Sequence, residues 1–121
     1  MLAALVVVYE MRMRSEGLQS VSPQELIRLM NQGALVLDLR PAEQYQAGHL
    51  NGARQMSSEQ IVSAGDTLKK HKEKTVVVYD DSGSLGGAAV RQLADQGFTR
   101  VFALRGGLAA WRADNLPLSR A

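Results

Sequence analysis

Residues 75–87, TVVVYDDSGSLGG, decide how this chain is read. Val76, Val77, Val78 and Tyr79 follow one another without the polar alternation of a half-exposed strand. They predict a strand buried on both faces, as in the middle of a parallel sheet. The apolar run stops at Asp80, Asp81, Ser82, Gly83, Ser84, Leu85 and Gly86, and a helix begins directly afterwards. The loop is therefore expected at the carboxyl end of a central strand. Backbone N–H groups converge there in open parallel sheets, and ligands and chemistry are usually found there.

Outward from this stretch, short strands and helices alternate along the chain. Before it, Val21 reads as an edge-strand residue, and Ser22-Pro23-Gln24-Glu25 as a helix start with a capping box. Leu26, Ile27, Leu29 and Met30 form the apolar stripe of that helix, which Asn31 and Gly33 end. Residues 34–37 form the next strand, broken by Pro41, which opens a short helix with Glu43, Gln44 and Tyr45. Residues 53–56 are extended, and a helix from Ser57 or Ser58 runs through Ile61, Val62 and Leu68, with Gly65 and Asp66 as possible interruptions. Lys69-Lys70-His71-Lys72-Glu73-Lys74 reads as a solvated helix end.

After the loop, Ala88, Ala89, Val90, Leu93 and Ala94 give a helix with a narrow face of small residues, ended by Gly97. Residues 99–104 supply the last strand, residues 108–113 a final helix carrying Trp111 as core cover, and residues 115–118 a tail. The pattern predicts an α/β domain with a central, mostly parallel five-stranded sheet and helices on both faces.

At 121 residues the chain is one domain by size, with enough length to bury roughly two thirds of its unfolded surface. A net charge of +2 with both signs interspersed gives no electrostatic case for nucleic acid. Cysteine is absent from the whole sequence, so disulfides, thiolate metal sites and cysteine nucleophiles are excluded. No metal or organic cofactor is implied.

The first nine residues, MLAALVVVY, are apolar, and Glu10, Arg12 and Arg14 follow. Nine residues are too few to cross a bilayer, which takes about twenty, and no basic region precedes them as in a signal peptide. Two readings remain open: the end of a transmembrane helix with Arg12 and Arg14 as cytoplasmic-side charges, or a segment packed on the domain or on a second copy. The chain divides into residues 1–17, an apolar and basic segment, and residues 18–121, the globular domain.

Several motif readings fail on spacing. Residues 83–87 are glycine-rich before a helix, but lack the Lys-Ser/Thr of a phosphate-binding loop. Ser82 and Ser84 lie in no nucleophile elbow, and no histidine follows them. His49, between Gly48 and Gly52, has no second ligand nearby and reads as a structural hydrogen-bonding residue.

One set of motifs, taken together, resembles a known family. It comprises Asp38, Arg40, Glu43, Tyr45, Gly48-His49-Leu50 and Gly52-Ala53, then a strand ending in a loop, then Gly97-Phe98, Val101, Arg105-Gly106-Gly107-Leu108 and Trp111. In this order, over about residues 20–118, they resemble the rhodanese domain. With the apolar start and the cysteine-free loop, the chain is most similar to small bacterial membrane-anchored rhodanese-like proteins. The resemblance implies the rhodanese fold, with Asp38, Arg40, Glu43, Gly48, His49, Gly106, Gly107 and Trp111 as framework. It also implies sulfur transfer through a persulfide on a cysteine directly after the central strand. On this sequence that position falls at Asp80, the next at Asp81, the loop glycine at Gly83 and the distal arginine at Leu85.

A carboxylate cannot carry a persulfide. Sulfur transfer needs a thiolate, with N–H groups and cations around the anionic donor. Each like-charge contact between an aspartate and an anion at about 4 Å costs on the order of 4 kcal/mol before screening. Asp80 is expected to accept the loop's own N–H groups, filling the nest an anion would use. Asp38 is expected to bond a neighbouring loop, and Arg40 to pair with Glu43 or Asp38. The expectation is a non-catalytic protein-binding or regulatory module with an unknown protein partner, possibly a membrane protein, at the inner membrane with a cytoplasmic domain, or otherwise cytoplasmic. The alternatives are a sulfurtransferase-family enzyme and a carboxylate-based hydrolase at the same loop.

Overall fold

The five strands pair in the order β1-β5-β4-β2-β3, every pair parallel. They are β1 (Ser20–Val21), β2 (Leu35–Asp38), β3 (Arg54–Gln55), β4 (Thr75–Tyr79) and β5 (Arg100–Leu104). This computed structural model describes residues 19–120; the segment expected at residues 1–17 and the domain's first residue, 18, lie outside them. As the apolar run predicts, β4 is central, with Val76 to Tyr79 all at 0% exposure. Successive side chains of a strand point to opposite faces. Val76 and Val78 accordingly enter one core with Leu37, Ile61, Leu68, Leu93 and Val101. Val77 and Tyr79 enter the other with Leu26, Leu50, Leu104, Leu108 and Trp111.

Helices cover both faces: α1 (Pro23–Asn31), α2 (Ala42–Ala47), α3 (Ser58–Ile61), α4 (Ala64–Thr67), α5 (Gly86–Asp95) and α6 (Gly107–Ala113), with a 3-10 turn at Lys69–His71. The predicted capping box is present. Ser22 Oγ accepts the Glu25 N–H at 3.1 Å, and Glu25 Oε1 accepts the Ser22 N–H at 2.9 Å. Both bonds favour the Glu25 carboxylate and hold its pKa below the ordinary value.

Three local expectations are corrected. The helix expected from residue 57 to Leu68 is instead two short helices and a 3-10 turn. Gln96 intrudes there, its Oε1 taking the Gly65 N–H at 2.6 Å and its Nε2 donating to the Ile61 carbonyl at 2.7 Å. The basic run is consequently not the end of one long helix. Residues 115–118 are not a free tail: Leu116 and Leu118 pack on the second core, and Ser119 exchanges backbone bonds with His49 at 2.7 and 2.8 Å. No helix among the described residues is long and apolar enough to cross a membrane.

Candidate functional site

β4 delivers Asp80 to the carboxyl end of the sheet, and the backbone then folds over the aspartate's own side chain. Asp80 is 4% exposed. Its Oδ1 accepts the Gly83 N–H at 2.8 Å, while Oδ2 accepts the Leu85 N–H at 3.1 Å and lies 3.3 Å from Ser84 Oγ. Gly83 has φ of +93°, the left-handed conformation that glycine adopts without strain and that turns its N–H inward. The expected nest is present, and the Asp80 carboxylate occupies it.

A second loop closes the site from behind. The Leu108 N–H donates to the Asp80 carbonyl at 2.8 Å, and the Ala109 N–H to the Asp81 carbonyl at 2.9 Å. Gly106 and Gly107 both have positive φ, +76° and +60°. A Cβ on Gly107 would lie 2.5 Å from the Asp80 carbonyl oxygen and 2.7 Å from the Gly83 nitrogen. The Gly-Gly pair is thus what lets the β5–α6 turn press against residues 80–83.

Arg40 and Asp38 form the wall opposite. Asp38 is fully buried and accepts both the Arg40 backbone N–H, at 2.8 Å, and its guanidinium, through Nε and Nη2. Arg40 therefore pairs with Asp38 and not Glu43, which is exposed on α2. Asp38 bonds no neighbouring loop N–H; its remaining partner is the Tyr79 hydroxyl at 2.6 Å, which itself accepts the Leu50 N–H at 3.0 Å. Burial foremost, then the bond to Asp38, pushes the Tyr79 phenol far above its ordinary range, so it stays protonated and donating. Burial by itself would lower Arg40, but the Asp38 pair outweighs it and the guanidinium is raised. Arg40 Nη1 also lies 3.7 Å from Asp81 Oδ1. The loop thus has a cation beside it, supplied by a different strand, which its own sequence does not reveal.

The two aspartates diverge, Asp81 exposing 61% of its side chain to solvent. Leu85, at the family's arginine position, is 44% exposed. With Leu39, Arg40, Pro41, Gln44 and Asp81 it borders a shallow groove of about 300 Å³.

His49 is structural, as expected: Nδ1 meets the Tyr45 carbonyl at 2.8 Å and the ring stacks on Tyr45. The Gly48 carbonyl accepts from Arg40, and Trp111 is buried with its indole N–H on the Pro117 carbonyl at 2.9 Å. Sequence reasoning missed Tyr79 as a member of the Asp38–Arg40 network. A buried tyrosine hydroxyl needs a partner, and that requirement was the available signal. No cluster of acids and histidines able to hold a metal occurs among the described residues.

The sheet order, the loop after β4 and the glycine turn after β5 define a rhodanese-type α/β domain. The chain belongs to the rhodanese-like domain family, whose model matches residues 22–114. Over 121 residues it is 33% identical to the uncharacterised protein YibN of Escherichia coli (strain K12), covering 98% of this chain and 85% of that protein. It is 31% identical over 93 residues to the thiosulfate sulfurtransferase GlpE of Pseudomonas entomophila (strain L48), covering 77% of this chain and 84% of that protein. Among solved structures, the rhodanese-like domain of the Anabaena protein Alr3790 superposes with a TM-score of 0.74 at 29% identity, over 85% of this chain and 80% of that one. A thiosulfate sulfurtransferase of Pseudomonas aeruginosa gives 0.74 at 25% identity, over 85% of this chain and 19% of that one. Sulfurtransferases are thus among the relatives, while this chain contains no cysteine.

Proposed function

We propose that this domain keeps the rhodanese scaffold without its sulfur chemistry and serves as a protein-binding or regulatory module, held at a membrane by residues 1–14 with the domain on the cytoplasmic side. The observation that carries the reading is the Asp80 carboxylate, buried in the cradle of Gly83 and Leu85 N–H groups where an anionic donor would have to sit. A carboxylate there offers no polarisable nucleophile and opposes a second anion.

The hydrolase alternative has little to support it. Ser84 Oγ meets Asp80 at 3.3 Å, but Asp80 is already committed to two backbone N–H groups. Of the two histidines, His49 is bound to Tyr45 and His71 lies in the 3-10 turn before β4. What the loop does present is Asp81 and Leu85, exposed on either side of the groove beside Arg40. A polar rim around an apolar residue suits recognition by a protein partner.

Turnover of thiosulfate and cyanide to thiocyanate tests the proposal. The expected rate is that of buffer alone. Saturable turnover removed by Asp80→Ala would overturn the reading.

A further inference from the structure

The charge of the described domain is segregated along the strand direction. Arg54, Lys69, Lys70, Lys72, Lys74 and Arg100 gather near the amino ends of the strands, with Asp66, Glu73 and Asp95 as the acids among them. The rest of residues 19–120 carries six basic and seven acidic side chains. Several contacts tie this end together. Thr75 and Arg100 are register partners at the starts of β4 and β5. Thr99 donates its N–H to the Lys72 carbonyl at 3.0 Å, and the Lys72 side chain lies over Gly97. The crowding of like charge is felt at His71: burial first, then Lys74, Arg54 and Lys70, lower its pKa. Among the described residues none of these lysines is held in an ion pair.

The chain reaches the sheet from this same end. β1 runs parallel to β5, with Ser20 opposite Ala103, and the Gln19 carbonyl accepts the Ala103 N–H. Residue 19 therefore lies on the Arg100 side of Ser20, and the eighteen residues before it join the domain there. Those residues include the apolar run and Arg12 and Arg14. We propose that the strand-amino end of the domain, through Lys69, Lys70, Lys72, Lys74 and Arg100, rests on an anionic lipid surface, turning the Asp80 loop at the opposite end away from the membrane. This rests on the membrane-held reading above, because a tether joining at that end brings that end to the lipid. Lysines near an anionic leaflet are attracted within a Debye length, and the attraction weakens with salt.

The test uses the full chain with vesicles of phosphatidylcholine alone and of phosphatidylcholine with phosphatidylglycerol, at low and at high salt. At low salt the mixed vesicles should bind roughly tenfold more tightly, and high salt should erase the difference. Lys69→Gln, Lys70→Gln, Lys72→Gln and Lys74→Gln together should remove that increment while leaving thermal unfolding and binding to neutral vesicles unchanged. An increment that persists in this variant, or is absent from the wild type, overturns the proposal. A parallel variant, Val6→Asp with Val7→Asp and Val8→Asp, separates the two readings. Loss of neutral-vesicle binding with the anionic increment kept supports the basic surface, and neutral binding without any increment leaves the tether alone.

Discussion

Asp80 Oδ1 accepts the Gly83 N–H at 2.8 Å, so the residue that ends the central strand holds closed the loop that follows it. The carboxylate is structural in the same sense that a bound anion would be. It satisfies inward-pointing N–H groups that burial would otherwise leave unpaired.

Replacing Asp80 with Ala should therefore cost stability. Two backbone N–H groups lose a charged acceptor, and hydrogen bonds to charged groups are each worth about 1.5–3 kcal/mol. We expect a total loss near the single-bond figure, about 2–3 kcal/mol, because water can reach part of the opened loop. Urea unfolding measures it, and amide exchange at Gly83 and Leu85 should accelerate. Unchanged exchange at both would remove Asp80 from this role.

Gly107 and Gly87 should behave oppositely. Gly107→Ala places a Cβ at 2.5 Å from the Asp80 carbonyl oxygen at a φ of +60°, combining a clash with left-handed strain. A loss of at least about 2 kcal/mol is expected. A Cβ on Gly87, inside α5, meets nothing within 4 Å, so Gly87→Ala should be neutral or stabilising by up to about 1 kcal/mol. Thermal unfolding of both variants decides; equal effects would contradict the packing described for the β5–α6 turn.

The network of Asp38, Arg40 and Tyr79 should also show an order. Tyr79→Phe leaves the Leu50 N–H without its acceptor and should cost about 1–3 kcal/mol. Arg40→Met strands the buried Asp38 carboxylate and should cost more, about 3–5 kcal/mol. Chemical denaturation of the two variants checks the ranking, which the reverse order would refute.

His71 should shape the acid side of the stability profile. Its Nδ1 is shielded and has no hydrogen-bond partner among the described residues. Burial first, and then neighbouring cations, lower its pKa from the ordinary 6.5. The unfolded chain thus takes up the proton before the folded one. The resulting contribution is complete above about pH 6.5 and is lost as pH falls through the folded value. His71→Gln should flatten this limb in unfolding measured from pH 7.5 downward, where an unaltered slope would exclude His71 as its source.

Much of the fold was legible because its determinants are local. The run of Val76 to Tyr79 marks the central strand, Ser22 with Glu25 marks the start of α1, and the glycines at 106 and 107 mark the turn behind the site. What escaped depends on partners distant in sequence. Gln96 takes the Gly65 N–H and the Ile61 carbonyl from thirty-odd residues away, and so splits a region whose periodicity alone suggests one helix. Ser119 pairs with His49, drawing in a tail that composition marks as free. At the site, Asp80 could be placed from the strand and the loop. The choice of Arg40 for Asp38 over Glu43, and the Tyr79 hydroxyl on the same carboxylate, follow from burial that only the folded sheet creates.

The most direct measurement is a thiosulfate titration of the protein followed at the Gly83 and Leu85 amides by NMR. With the Asp80 carboxylate in the cradle, neither resonance should move beyond the general salt effect seen with chloride. Saturable shifts of both amides with thiosulfate would show that the cradle is open to an anion, and would contradict the account.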